Sequence, residues 1–299
     1  MALYAALGES YMIYRIFIHQ FIRSFSSPRT YFGILIGCLA QILSSMPLYT
    51  YSETIGKPLG IFEGFIYLNC DTYTSVVAFL GLLLFISDIP FSSTGEAYIL
   101  LRTTKSRWTV GKIIYLFVGT CIYYIVVLFV GVLFLLPNAF LGNIWSEPLR
   151  FLTTASKDMV NTYHVFFPYQ HVMQLPVYTV ALICYFFNVA YGFIMSLLVF
   201  LLNLRFTRSI GYAATMIFHT ISYAFAALFP SDAARKYSLL GNSLIMYHNI
   251  GGYYKDSTLP TVAGSFLGYM GIGILLVIGV IYSVKKSDLN ITAGIYHDV

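Results

Sequence analysis

Residues 113–136 read IIYLFVGTCIYYIVVLFVGVLFLL and carry no charge at all. About twenty apolar residues in a helix suffice to cross a bilayer. Water offers few folds that could bury such a run on every side, and comparable runs recur along the chain. Only 10% of the 299 residues are charged, against roughly 25% in an ordinary globular domain. Mean hydropathy is +0.76. These observations predict an integral membrane protein. Its net charge of +5 then reports topology before it reports any nucleic-acid partner.

Six spans are expected, at roughly 31–48, 72–89, 110–136, 176–204, 210–229 and 261–284, in one transmembrane domain covering 1–299. The second has the shortest purely apolar centre. With the N-terminus placed inside, eleven of the seventeen Lys and Arg fall on inner segments and six on outer ones. The inner segments are also shorter, so the positive-inside rule favours a multi-pass cell-membrane protein with both termini cytoplasmic. The opening MALYAALGES lacks the basic region and cleavage site of a secretory signal and is expected to persist.

Ahead of the first span, YMIYRIFIHQFIR places Arg15, His19 and Arg23 four residues apart, with Ile13, Ile16, Phe17 and Phe21 facing away. That pattern predicts a helix lying in the headgroup plane. The outer loops, 137–175 and 230–260, are long enough to imply local structure or function. ARKYSLLGNSLIMYHNIGGYY mixes apolar and polar residues, as a short hairpin dipping into the membrane would. In the last span Gly264 and Gly268 form G-x-x-x-G, a motif for close helix packing. Cys38, Cys70, Cys121 and Cys184 form no C-x-x-C pair and read as small apolar side chains.

Candidate chemistry is sparse. No phosphate-binding G-x-x-x-x-G-K-[ST], H-E-x-x-H or G-x-S-x-G occurs. No catalytic residue, metal site or cofactor is expected in this chain. Intramembrane carboxylates, the usual mark of an ion-coupled carrier, are nearly missing from the span centres. Gln41, Asn188 and above all His219 are the polar groups expected deep in the bilayer. Each can line a substrate path or, as the simpler reading, bond a neighbouring helix. His164, His171 and His248 are expected as surface polar residues of the outer side.

The connection SDIPFSSTGEAYILLRTTKSRWTVGK, residues 87–112, concentrates charge between two apolar runs. Ser93 and Glu96 make a capping box that starts a short helix. Glu96 lies early and Arg102 late, as the helix dipole prefers, and Trp108 is placed as an interfacial anchor. The positive-inside rule explains Arg102, Lys105, Arg107 and Lys112. It does not explain the capped helix with Tyr98, Ile99, Leu100 and Leu101.

This layout resembles the permease subunits of type-two ABC exporters, which handle drugs, lipids, polysaccharides and bacteriocin-like peptides. The resemblance rests on the helix before the first span, on GEAYILLRTTKSRW between the second and third, and on ARKYSLLGNSLIMYHNIG before the sixth. It implies an all-α membrane protein with six transmembrane helices, an N-terminal interfacial helix and a cytoplasmic coupling helix. Glu96, Tyr98, Leu100, Leu101, Arg102, Lys105 and Arg107 would then couple to cytoplasmic ATPase subunits. Those partners would carry ATP and Mg, and a second permease copy or a paralogue would complete the assembly in membrane lipid. The long outer loop between the third and fourth spans departs from compact members of that family. Two other readings stand beside it. One is an intramembrane enzyme or ion-coupled carrier using His219, and the other a non-transporting membrane sensor or immunity protein using the outer loops.

Overall fold

A computed structural model describes residues 2–87, 89, 99, 102–154, 162–206, 208–229, 231–253 and 258–286. The expected helix before the first span is α1, Ala2–Phe25. Ser27 and Pro28 then open α2, Pro28–Ile55, with Pro at a helix position where no N–H is needed. Gly56 closes α2 in the left-handed conformation (φ 68°), and its N–H reaches back to Glu53. A two-residue strand β1, Leu59–Gly60, leads into α3, Glu63–Leu68, and α4, Thr72–Phe85. Next come α5, Lys105–Leu135, strand β2, Ala139–Phe140, and α6, Glu147–Leu152. The remaining helices are α7, Val177–Arg205; α8, Arg208–Ala227; α9, Asp232–Tyr237; and α10, Val262–Lys286.

Five of these, α2, α5, α7, α8 and α10, are long and apolar enough to cross a membrane. The chain is therefore an all-α, multi-pass membrane protein. The element at the expected second span differs in length. At 14 residues, α4 rises about 21 Å, short of the ~30 Å hydrocarbon core. Asp71 caps it, accepting the N–H groups of Tyr73 and Thr74 at 3.2 Å each, which separates α4 from α3. All six residues of α3 are buried.

Packing begins with α2 against α4. A Cβ on Gly33 would stand 2.6 Å from the Gly81 carbonyl oxygen and 2.7 Å from the Phe85 nitrogen. The two backbones touch because neither residue has a side chain there. The hydroxyl of Tyr123, from α5, enters beside this contact and donates to the Ala78 carbonyl at 2.5 Å. Three helices are thus locked at one level. The expectation for Gly264 and Gly268 fails by contrast. A Cβ on Gly268 would meet nothing within 4 Å, and one on Gly264 only its own helix cap at Thr261. The G-x-x-x-G that works inside this chain is Gly33 and Gly37 on α2.

The helix α1 does more than rest on the bilayer. Its buried face is Ile16, Gln20 and Ser24, not the purely apolar face expected, because that face docks on α5. Lys112, itself buried, donates to the Gln20 side-chain oxygen, and Tyr115 donates to Ser24 Oγ at 2.7 Å. Trp108 is fully buried against Phe200 of α7, so it packs the core and does not anchor an interface.

Valine at Gly33 should lower the unfolding midpoint in detergent by the equivalent of about 1–3 kcal/mol, since the new methyls strike backbone. Gly268→Val should leave the midpoint in place. Equal midpoints for the two variants would remove the α2–α4 contact from its central role.

Candidate functional site

The polar groups of the core gather along α7. Asn188 donates to Asn69 Oδ1 at 2.6 Å, and Asn69 in turn donates to the Phe65 carbonyl at 2.8 Å. This pair bridges α7 to the break between α3 and α4. Nearly one turn further, the Tyr191 hydroxyl is bonded to Nδ1 of His219 on α8 at 2.6 Å. The His219 ring packs on Phe79 of α4, centroids 4.2 Å apart. Its Nε2 is buried with no hydrogen-bond partner. At the far end of α7, Asn203 donates to the Ile89 carbonyl at 2.7 Å.

Gln41 does not join this line. It donates to Ser45 on its own helix at 2.8 Å and lies against Gly131 of α5. Gln41 Oε1 and, nearly one turn on, Ser44 Oγ are buried without partners. Of the three expected path residues, Asn188 stands on α7 and His219 on α8, bonded to α7 through Tyr191, whereas Gln41 belongs to the α2–α5 seam.

The described residues between α5 and α7 and between α8 and α10 pack together as a cap over one end of these helices. The expectation of surface histidines is overturned for two of the three: His164 is exposed, but His171 and His248 are buried. His171 Nε2 meets the Met246 carbonyl at 3.0 Å, joining the two outer segments. His248 lies 3.1 Å from the Leu244 carbonyl through Nδ1 and 2.9 Å from Ser265 Oγ of α10 through Nε2. A carbonyl only accepts, so the His248 proton sits on Nδ1. The ring stacks on Phe187 of α7 at 4.8 Å. The expected hairpin before the last span is two short 3-10 turns, Gly241–Ser243 and Ile245–Tyr247. Leu240, Leu244, Ile245 and Ile250 are buried there.

Glu63 is the functional-grade residue that sequence reasoning passed over. Its fully buried carboxylate accepts the Gly60 N–H at 2.8 Å, the Ser146 N–H at 2.7 Å and the Ser146 hydroxyl at 2.6 Å. One side chain so ties β1, α3 and the start of α6 together. The signal available was a single acid inside the apolar stretch IFEGFIYL.

On the opposite end of α5, Arg15 and His19 are exposed and Arg23 is half-buried. Arg102 and Lys105 are exposed, Arg107 is half-buried, and Thr104 caps α5 by accepting the Arg107 N–H at 3.4 Å. Ile99 is partly buried against the core. Glu96, Tyr98, Leu100 and Leu101 lie outside the described residues. Among the described residues, no three His, Cys, Asp or Glu side chains converge as a metal set. The arrangement offers pairing and packing chemistry: hydrogen-bonded polar groups inside, a folded cap at one end and a group of basic side chains at the other. Compared with protein-family models, with curated proteins and with solved structures, the chain matches none.

Two outcomes follow. Tyr191→Phe strips His219 of its one bond and should cost about 1–3 kcal/mol. Adding His219→Phe should recover part of that loss in a double-mutant cycle of unfolding midpoints; strict additivity would mean the pair is not coupled. Burial also lowers the His248 pKa from its ordinary 6.5 to about 4. The folded value lies below the unfolded one, so this group's stability is whole above 6.5 and drains as pH falls toward 4. Protection against hydrogen exchange in residues 240–250, taken relative to the intrinsic rate at each pH, should fall as pH drops across that window, and His248→Gln should flatten the dependence. An unchanged acid profile in the variant would remove His248 as its source.

Proposed function

We propose that this chain is the permease subunit of an ATP-driven transporter, carrying an amphipathic peptide, lipid or drug outward. The observation that carries the reading is the joint at the start of α5. The α4–α5 connection feeds directly into a 31-residue helix, roughly 46 Å long. At its first turns that helix is pinned to α1 by the Lys112–Gln20 and Tyr115–Ser24 bonds. At its far end Leu135 packs closely on Gly64 of α3. A push on the connection would therefore move α1, α5 and the capped end as one lever.

In this reading α3 and α4 together make the sixth crossing, a discontinuous helix of the kind transporters use. The buried 3-10 turns ahead of α10 serve as the re-entrant element, and both termini are cytoplasmic. Glu96, Tyr98, Leu100, Leu101, Arg102, Lys105 and Arg107 receive two ATPase chains, on which ATP and Mg reside. A second copy or a paralogue completes the pathway. His219 and Asn188 act as ties between helices, because both are already bonded to neighbours.

The test is to isolate the tagged chain from native membranes and identify its companions. An ATPase should co-purify, and the charge reversals Glu96→Lys and Arg102→Glu should weaken its binding and its stimulated turnover. Intact binding and turnover in both variants would sink the coupling assignment.

A further inference from the structure

Between α1 and the side chains of Ile99, Arg102 and Thr103 lies a pocket of about 210 Å³, lined on the α1 side by Arg15, Ile16 and His19 among others. Arg15 and Arg102 have no ion-pair or hydrogen-bond partner among the described residues; Arg15 only leans over the Tyr11 ring, 5.8 Å from its centroid. The Thr103 hydroxyl oxygen is buried and likewise without a partner. Two guanidinium groups, an imidazole and an unused hydroxyl thus surround one space, with isoleucine on both walls.

We infer that this pocket binds the phosphate headgroup of an anionic phospholipid. Guanidinium forks pair with phosphate oxygens in two parallel bonds, and the Thr103 hydroxyl supplies a third donor. A free phosphate ion offers the same oxygens, but the surroundings favour the lipid. Tyr11, Tyr14 and Ile22 are exposed on the same helix, which suits the boundary between headgroups and acyl chains. Ile16 and Ile99 give a lipid's glycerol and upper chain an apolar wall that a bare ion cannot use. The site requires docked α1, since Ile16 sits within contact distance of Gly111 on α5 and sets the pocket's floor. It makes the bilayer a ligand of the α4–α5 connection, so the lipid's charge would bias where that connection rests.

The experiment uses the purified full chain without any ATPase, so its outcome is separate from the transporter reading. The chain is placed in nanodiscs of phosphatidylglycerol and phosphatidylcholine in equal parts, re-extracted, and its retained lipid is measured by native mass spectrometry. Wild type should retain phosphatidylglycerol preferentially, and Arg15→Gln with Arg102→Gln should weaken that retention at least about tenfold. Arg15→Lys with Arg102→Lys, which keeps the charge but loses the forks, should fall between wild type and the glutamine variant, and both arginines are exposed, so folding should survive. Equal retention by wild type and the glutamine variant would overturn the site. Displacement of the lipid by millimolar inorganic phosphate would overturn the lipid assignment.

Discussion

The bundle depends on a contact with no side chains in it. Gly33 of α2 and Gly81 of α4 bring two backbones together, and the Tyr123 hydroxyl of α5 closes the gap by bonding the Ala78 carbonyl. Lipid tails are as apolar as leucine, so helices in a membrane gain little from burying apolar surface against one another. Close approach and interhelical hydrogen bonds have to do that work. α4, too short to cross alone, is held by α2 along its length, and its capped N-terminus at Asp71 leaves Asn69 free to meet Asn188 on α7.

The same constraint explains where polar residues sit. In a low-dielectric interior an unpaired polar group is costly, so buried polar groups find partners, and several of them mark joints between elements. Gln20–Lys112 and Ser24–Tyr115 join α1 to α5; Asn69–Asn188 joins the helix break to α7; His248–Ser265 joins the cap to α10. Glu63 does this for the outer strands. The exceptions are informative as well. His219 Nε2, Gln41 Oε1 and Thr103 Oγ1 are buried without partners. Of these, Thr103 Oγ1 belongs to a pocket that basic residues line.

Much of this was legible from residues alone. Apolar runs located four of the five long helices to within about five residues, because a bilayer demands length and the absence of charge, but α2 runs on to Ile55, seven residues past the end expected at 48. Ser27–Pro28 and Gly56 punctuate α2 as capping chemistry requires. Of the stripe Arg15, His19 and Arg23, the first two are exposed on α1 and the third is half-buried. Periodicity could not show that the opposite side would carry Gln20 and Ser24 into a protein contact, since those residues look polar until their partners on α5 are known. The glycines were misread for a related reason. Gly264 and Gly268 have the same spacing as Gly33 and Gly37, and only a facing backbone distinguishes a used motif from an idle one.

Taken alone, the sequence determined the class: an all-α, multi-pass membrane protein with an amphipathic helix first and a basic connection before α5. These follow from composition and period, which act locally along the chain. The tertiary structure decided which polar residues became joints and which remained open. It buried His171, His248, Lys112 and Trp108, all of which carry groups that ordinarily seek water, and set Arg15 and Arg102 around one pocket. Burial of a polar group depends on what another segment offers it, often a hundred residues away, and no local pattern records that.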